Sequence, residues 1–231
     1  MNASSHESIA EVLARLERAL AGPLPGAGAQ LRMAPDPPSG PDTYLNPPEA
    51  CRRGGVLILL YPCAGELHLV LTRRTQQVRH HKGQVSLPGG AQHSDEELIQ
   101  TALRETGEEL GIPTGTIEVL GALSPLYVPV SGFCIHPFVA HQASRPIFDP
   151  DPAEVADVLE VPLARLLDPG ARKVEYWSDP RFGVQRRVPC FRMLDWVVWG
   201  ATAMILSELV ALLEEQASTP LSASDRQGGA A

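Results

Sequence analysis

Between Gly89-Gly90 and Gly111-Ile112-Pro113 lies a run of helix-forming residues in which Glu105, Glu108 and Glu109 stand at i, i+3 and i+4. On a helix this spacing projects three carboxylates from one edge, within side-chain reach of each other. Like charges so close either raise one another's pKa or gather a cation, and an all-oxygen cluster selects a hard ion such as Mg²⁺ or Mn²⁺. The opposing stripe, Ile99, Ala102, Leu103, Thr106 and Leu110, is largely apolar and demands a layer to pack against. A helix is therefore predicted from about Asp95 to Leu110, closed by Gly111 and Pro113. Ahead of it, Pro88-Gly89-Gly90 forms a turn in which the Gly89 carbonyl can approach an ion closely. Arg104 can pair with Glu96 and fix its orientation. A Glu-rich helix taken alone is ordinarily a solvated face, so the surroundings carry the decision.

Those surroundings read as strands with few helices. Gly55 to Tyr61 and Leu67 to Arg73 are β-prone runs joined by a hairpin-type connection, Pro62 to Glu66. Strand-like runs recur at Ile117 to Leu123 and Phe133 to His141, and a short helix is expected near Pro162 to Leu167, with the proline in its first turn. This order suggests an α+β or α/β sandwich rather than a doubly wound sheet. Ser8 to Leu20 has the periodicity of an amphipathic helix outside the main domain, followed by the Pro- and Gly-rich Gly22 to Pro48, expected as an extended arm or linker. The domain is thus expected over residues 49–216, after an appendage at 1–48 and before a small, polar tail at 217–231 expected to be disordered. Trp196 to Leu213 is apolar, but it is short for a bilayer and carries Glu208, so it reads as a buried amphipathic helix.

Directly upstream of the acids the chain turns basic. Arg73, Arg74, Arg79 and Lys82 cluster in a protein whose formal net charge is -8. Such a run is commonly solvated surface, but here it ends at the glycine turn, where cations would meet phosphate oxygens and arginine would do so bidentately. His80 and His81 are either phosphate contacts or polar loop residues.

Two motifs change the weight of the acidic-helix and basic-run readings. The segment Gly90 to Ile112 resembles the Nudix box, G-x5-E-x7-R-E-U-x-E-E-x-G-U, at Gly90, Glu96, Arg104, Glu105, Glu108, Glu109, Gly111 and Ile112, with Thr106 replacing an aliphatic residue. The segment Leu71 to Gly90 is similar to the signature of coenzyme A pyrophosphatases within that family, matching at Leu71, Thr72, Arg74, Arg79, Gly83, Pro88, Gly89 and Gly90, with Thr75 for Ser or Ala and Leu87 for Phe. The likeness extends from about Gly55 to Leu213. It implies the Nudix fold, a mixed sheet between helices with the box as a loop–helix–loop. It also implies Mg²⁺- or Mn²⁺-dependent hydrolysis of coenzyme A or its thioesters to 3′,5′-ADP and 4′-phosphopantetheine or its acyl form. Under this resemblance Glu105, Glu108 and Glu109 are metal ligands with the Gly89 carbonyl, Glu96 and Arg104 support them, and Arg74, Arg79 and Gly83 contact substrate; Arg73 and His81 are further candidate contacts read from the basic run and its loop. Glu154 is the candidate general base; its alternative reading is a charge favourable at a helix N-terminus. The box itself is equally compatible with ADP-ribose, NADH or a dinucleoside polyphosphate, and a Nudix fold can also serve as a silent ligand-binding module.

Composition excludes other classes. An acidic chain is not a binder driven by nucleic-acid phosphates, and no membrane partner is expected. Cys51, Cys63, Cys134 and Cys190 show neither metal spacing nor a disulfide framework, and Met1 to Glu7 does not read as a signal peptide, so a reducing cytoplasm is the expected setting. A homodimer is compatible with the sequence.

Overall fold

A computed structural model describes residues 7–36, 41–75, 83–179 and 184–218. In chain order its elements are α1 (Ile9–Leu20), α2 (Gly26–Gln30), β1 (Arg52–Cys63), β2 (Glu66–Arg74), β3 (Val85–Ser86), β4 (Gly89–Ala91), α3 (Leu98–Leu110), β5 (Ile117–Ala122), β6 (Leu126–Val128), β7 (Phe133–Gln142), β8 (Val155–Pro162), α4 (Leu163–Leu167), β9 (Arg172–Asp179), β10 (Val184–Met193), β11 (Trp196–Trp199) and α5 (Gly200–Ser218).

Strand β1 organises the main sheet. Its residues alternate between faces, and both faces are apolar, so it must lie between two layers. Leu57, Leu59 and Tyr61 pack toward Ala102 and Leu110 of α3. Ile58 and Leu60 belong to the opposite cluster with Met204, Leu206, Leu209 and Val210 of α5 and Leu16 of α1. Around β1 the order is β3-β2-β1-β7-β5, with β8 beside β2, β4 on β1 and β6 on β7. β1 and β7 run parallel from Arg52↔Phe133 to Leu60↔His141, while the other pairings are antiparallel. The result is the mixed sheet between helices that the family resemblance implied. A second sheet, β11-β10-β9, was not foreseen.

The expected hairpin forms with Cys63 opposite Glu66, and Ala64 and Gly65 turn the chain at φ 51° and 87°, as a two-residue primed turn requires. Helix α1 is present behind a Ser8–Glu11 capping box. It does not stand outside the domain, because Leu16, at 0% exposed, and Leu20 are buried in the same cluster as α5.

The Pro- and Gly-rich stretch is likewise docked, and it holds the short helix α2 instead of running as an extended arm. What fastens it is Glu208. This carboxylate is fully buried on apolar α5 and accepts hydrogen bonds from Gly26 N–H at 3.0 Å, Ser124 N–H at 3.2 Å and Gln30 Nε2 at 2.8 Å. A buried charge is tolerable only when its lone pairs are used in this way.

Three further expectations are corrected. Trp196 to Leu213 is not one helix: β11 ends at Trp199, and Gly200, at φ 62°, turns the chain into α5. No helix among the described residues is long and apolar enough to cross a membrane. Pro162 precedes α4 as its N-cap and does not lie within its first turn. Cys51 and Cys134 form a disulfide, with Cα atoms 5.8 Å apart and a sequence separation of 83. It staples the entry of β1 to β7, where Arg53 stands opposite Cys134. Cys63 and Cys190 are free thiols.

Candidate active site

The site grows from one helix and one glycine turn. α3 begins at Leu98 rather than Asp95, with Glu97 as N-cap in a capping box with Gln100, and ends at Gly111, which adopts φ 65° and donates its N–H to Gly107 O. Thr106, the departure from an aliphatic position, is fully buried yet satisfied, because its hydroxyl donates to Ala102 O at 2.6 Å. The glycine turn lies against this helix so closely that side chains are excluded. Gly89 has φ 146°, a Cβ there would strike Val56, and a Cβ at Gly90 would strike the Glu105 carboxylate.

The three acids of the helix edge divide between two arginines. Arg104 donates to Glu105 at 2.8 Å, to Glu108 at 3.0 Å and, through two nitrogens, to Glu96 at 2.9 and 3.1 Å. The hydrogen bond from Arg104, followed by that from His93 N–H, holds the Glu96 carboxyl down at about 2. Glu96 and Arg104 are therefore paired, as their spacing allowed.

Glu109 faces the other way. It is 3% exposed, its Oε1 lies 3.4 Å from Arg74, and its Oε2 accepts from Gly89 N–H at 3.4 Å. Burial pushes this carboxyl up to about 8; Arg74 and the Gly89 N–H oppose the rise, and the charges of Glu105 and Glu154 add to it. Arg74 also reaches Glu154 at 3.8 Å, so Glu154, far away in sequence, does arrive at the site. It stands before a strand, not at a helix N-terminus, and its backbone carbonyl accepts from Thr75 N–H at 2.9 Å.

Not every expected residue converges. Arg73 points away from Glu109, pairs with Asp157 and lies 4.9 Å over the Trp196 ring. Neighbours on a strand point to opposite faces, and β2 also carries a register shift between Arg73 and Arg74. Gly83 lines a separate depression with Arg73, Asp157 and Trp196. Arg79, His81, His80 and Lys82 lie outside the described residues. Among the described residues, no three His, Cys, Asp or Glu side chains are arranged to hold a metal ion. In the geometry seen, Glu105 and Glu108 converge on Arg104 and Glu109 on Arg74.

A cleft of about 1400 Å³ opens from the turn, lined at this end by Arg74, Gly89, Gly90 and Glu154. Its far wall comes from Tyr44 and from Trp177, Arg186 and Trp199 of the second sheet. Trp199 falls within the wider family likeness, but neither motif contains Tyr44, Trp177 or Arg186, and nothing in the sequence pattern brought them to the site.

The NUDIX domain profile matches residues 52–179, spanning β1 to β9 and so including the turn, α3, Arg74 and Glu154. The chain belongs to the NUDIX domain family. An uncharacterized Nudix hydrolase NudL of Pectobacterium atrosepticum is 37% identical over 178 residues, 74% of this chain and 88% of that protein. Another, from Yersinia enterocolitica, is 41% identical over 149 residues, covering 64% of this chain and 74% of the relative. The crystal structure of a Nudix hydrolase from M. smegmatis, RenU, is 19% identical with a TM-score of 0.49, covering 74% of this chain and 88% of that one. The Nudix box is here the loop–helix–loop made by the Gly89–Glu97 turn, α3 and the Gly111 cap.

Proposed function

We propose that this Nudix chain hydrolyses the diphosphate of coenzyme A or its thioesters, releasing 3′,5′-ADP and 4′-phosphopantetheine or its acyl form, with Mg²⁺ or Mn²⁺ as the required ion. The observation that carries the hydrolytic reading is a buried Glu109 beneath the Gly89 turn, bridged by Arg74 to Glu154 at the mouth of a large cleft. The coenzyme A reading rests on the signature that includes Thr72, Arg74, Gly83 and Pro88-Gly89-Gly90.

The donor set fits a hard cation in kind: Glu105, Glu108 and Glu109 offer only oxygen, and the Gly89 carbonyl lies on the same turn. These four would hold it once Arg104 and Arg74 give up their carboxylates, which needs side-chain rotation on a backbone fixed by the burial of Ala102 and Leu110. When bound, the ion neutralises the diphosphate and lowers the pKa of the attacking water.

The chain's own residues then divide the remaining work. Arg74, released from Glu109, pairs with phosphate oxygens and orients the phosphorus toward water. Glu154, 48% exposed at its side chain and 3.8 Å from Arg74, is the group assigned to accept the water's proton. Arg104 and Glu96 keep the outer acids in register. A substrate panel of coenzyme A, its thioesters, ADP-ribose and NADH with Mg²⁺ or Mn²⁺, read by product identity, tests this. Expected is phosphopantetheine release from coenzyme A as the fastest reaction; turnover of ADP-ribose with coenzyme A left intact contradicts it.

A further inference from the structure

The cleft is larger than a diphosphate and one nucleoside require, since small-molecule sites commonly occupy about 300–1,000 Å³. Its far half is also chemically unlike the catalytic end. There the Trp177 and Trp199 rings meet edge to face with centroids 4.7 Å apart, and α5 supplies Ala201, Met204 and Ile205. Several polar atoms of this lining are already engaged, among them the Arg186 guanidinium, which donates to Asp36 O at 3.1 Å. Trp177 Nε1 donates to Glu175 at 2.8 Å, Thr202 Oγ1 donates to Val85 O at 3.4 Å, and the Phe133 face is covered by the Arg52 guanidinium at 4.3 Å. Burying an apolar ligand group against such walls is favourable, whereas a polar one would lose its hydration without new partners.

We propose that the Trp177–Trp199 end is a specificity subsite for a long apolar arm on the non-nucleotide side of the diphosphate, so that acyl thioesters are favoured over the free thiol. The inference rests on the coenzyme A reading above. Trp177, Trp199 and Val130, which lines the rim at 83% exposure, are the specificity-determining residues. The second sheet and the Tyr44 segment exist in this account to build the wall that receives the arm.

The test is kcat/KM for coenzyme A, butyryl-coenzyme A, octanoyl-coenzyme A and ADP-ribose, in wild type, Trp177→Ala and Val130→Asp. The expected result is a rise of about tenfold or more from butyryl to octanoyl in the wild type, since each methylene buried adds up to about fourfold. Trp177→Ala should flatten that gradient. Val130→Asp, a surface change with little bearing on folding, should reduce it several-fold and keeps the proposal testable if the tryptophan variant does not fold. A wild-type gradient that is flat overturns the arm assignment alone. So does an equal proportional loss on all four substrates in Trp177→Ala, because the ring would then be stacking the shared nucleoside. Cleavage of ADP-ribose with no coenzyme A form cleaved sinks the underlying substrate reading and is distinct from both.

Discussion

Two arginines serve the same acidic helix in opposite ways. Arg104 meets Glu96, Glu105 and Glu108, all from its own helix or the turn before it, and two of those acids are partly exposed and one largely so. Arg74 comes from β2, and its acids, Glu109 and Glu154, lie 35 and 80 positions on; Glu109 is buried. Only Arg74 lines the cleft. The contrast separates a brace, made by local spacing, from a cation that the tertiary fold sets where phosphate would arrive. A close pair can be worth little on a surface and much where water is excluded, so the two should fail differently when altered.

The largest effect is expected on the buried side. Glu109→Gln keeps the shape but cannot ionise to hold a cation, and kcat should fall on the order of a thousandfold with the melting transition retained. Glu108→Gln on the Arg104 side should also cut turnover strongly; near-normal activity of that variant at saturating Mg²⁺ would remove Glu108 from the ligand set. Next, Arg104→Met should lower activity by about 10- to 100-fold through misplaced acids, visible as a higher Mg²⁺ requirement. Arg74→Ala should instead raise KM, by about tenfold, and more for coenzyme A than for ADP-ribose if Arg74 reads features peculiar to coenzyme A. An equal rise on both confines Arg74 to the shared diphosphate. A dominant KM effect in Arg104→Met would erase the distinction between the two arginines.

The smallest effect is a pH dependence. Glu96 has its carboxyl depressed to about 2 from 4.5 by Arg104, so its stabilising pair is complete above about pH 4.5 and is lost as pH falls toward 2. The melting temperature of Glu96→Gln should lie below wild type at pH 7 and approach it near pH 3. A gap that stays constant over this range would mean that the ionised pair is not what stabilises the turn.

This contrast also explains how much was legible beforehand. Everything on the Arg104 side is written in one segment, where i, i+3 and i+4 spacing fixes which side chains share an edge. Glu109 belongs to the same pattern, but the arrival of Glu154 at the same Arg74 required β2 to be placed beside β8, a pairing with no local signature. Arg73 was grouped with Arg74 because adjacency in a basic run ignores strand alternation. The strand β11 disappeared into α5 because a continuous apolar run shows no change of period at Trp199. The Cys51–Cys134 bond spans 83 residues, which spacing alone cannot reveal. The main sheet's first hairpin, by contrast, was readable from the Pro62 to Glu66 connection between two β-prone runs.

The most direct measurement is Mn²⁺ binding to the purified full chain, followed by the ion's spin-resonance signal and by calorimetry, in wild type and Glu109→Gln. Saturable binding that weakens at least about tenfold in the variant is the predicted result. Identical binding in the two proteins, alongside intact activity, would contradict a cation held by the α3 carboxylates beside the glycine turn.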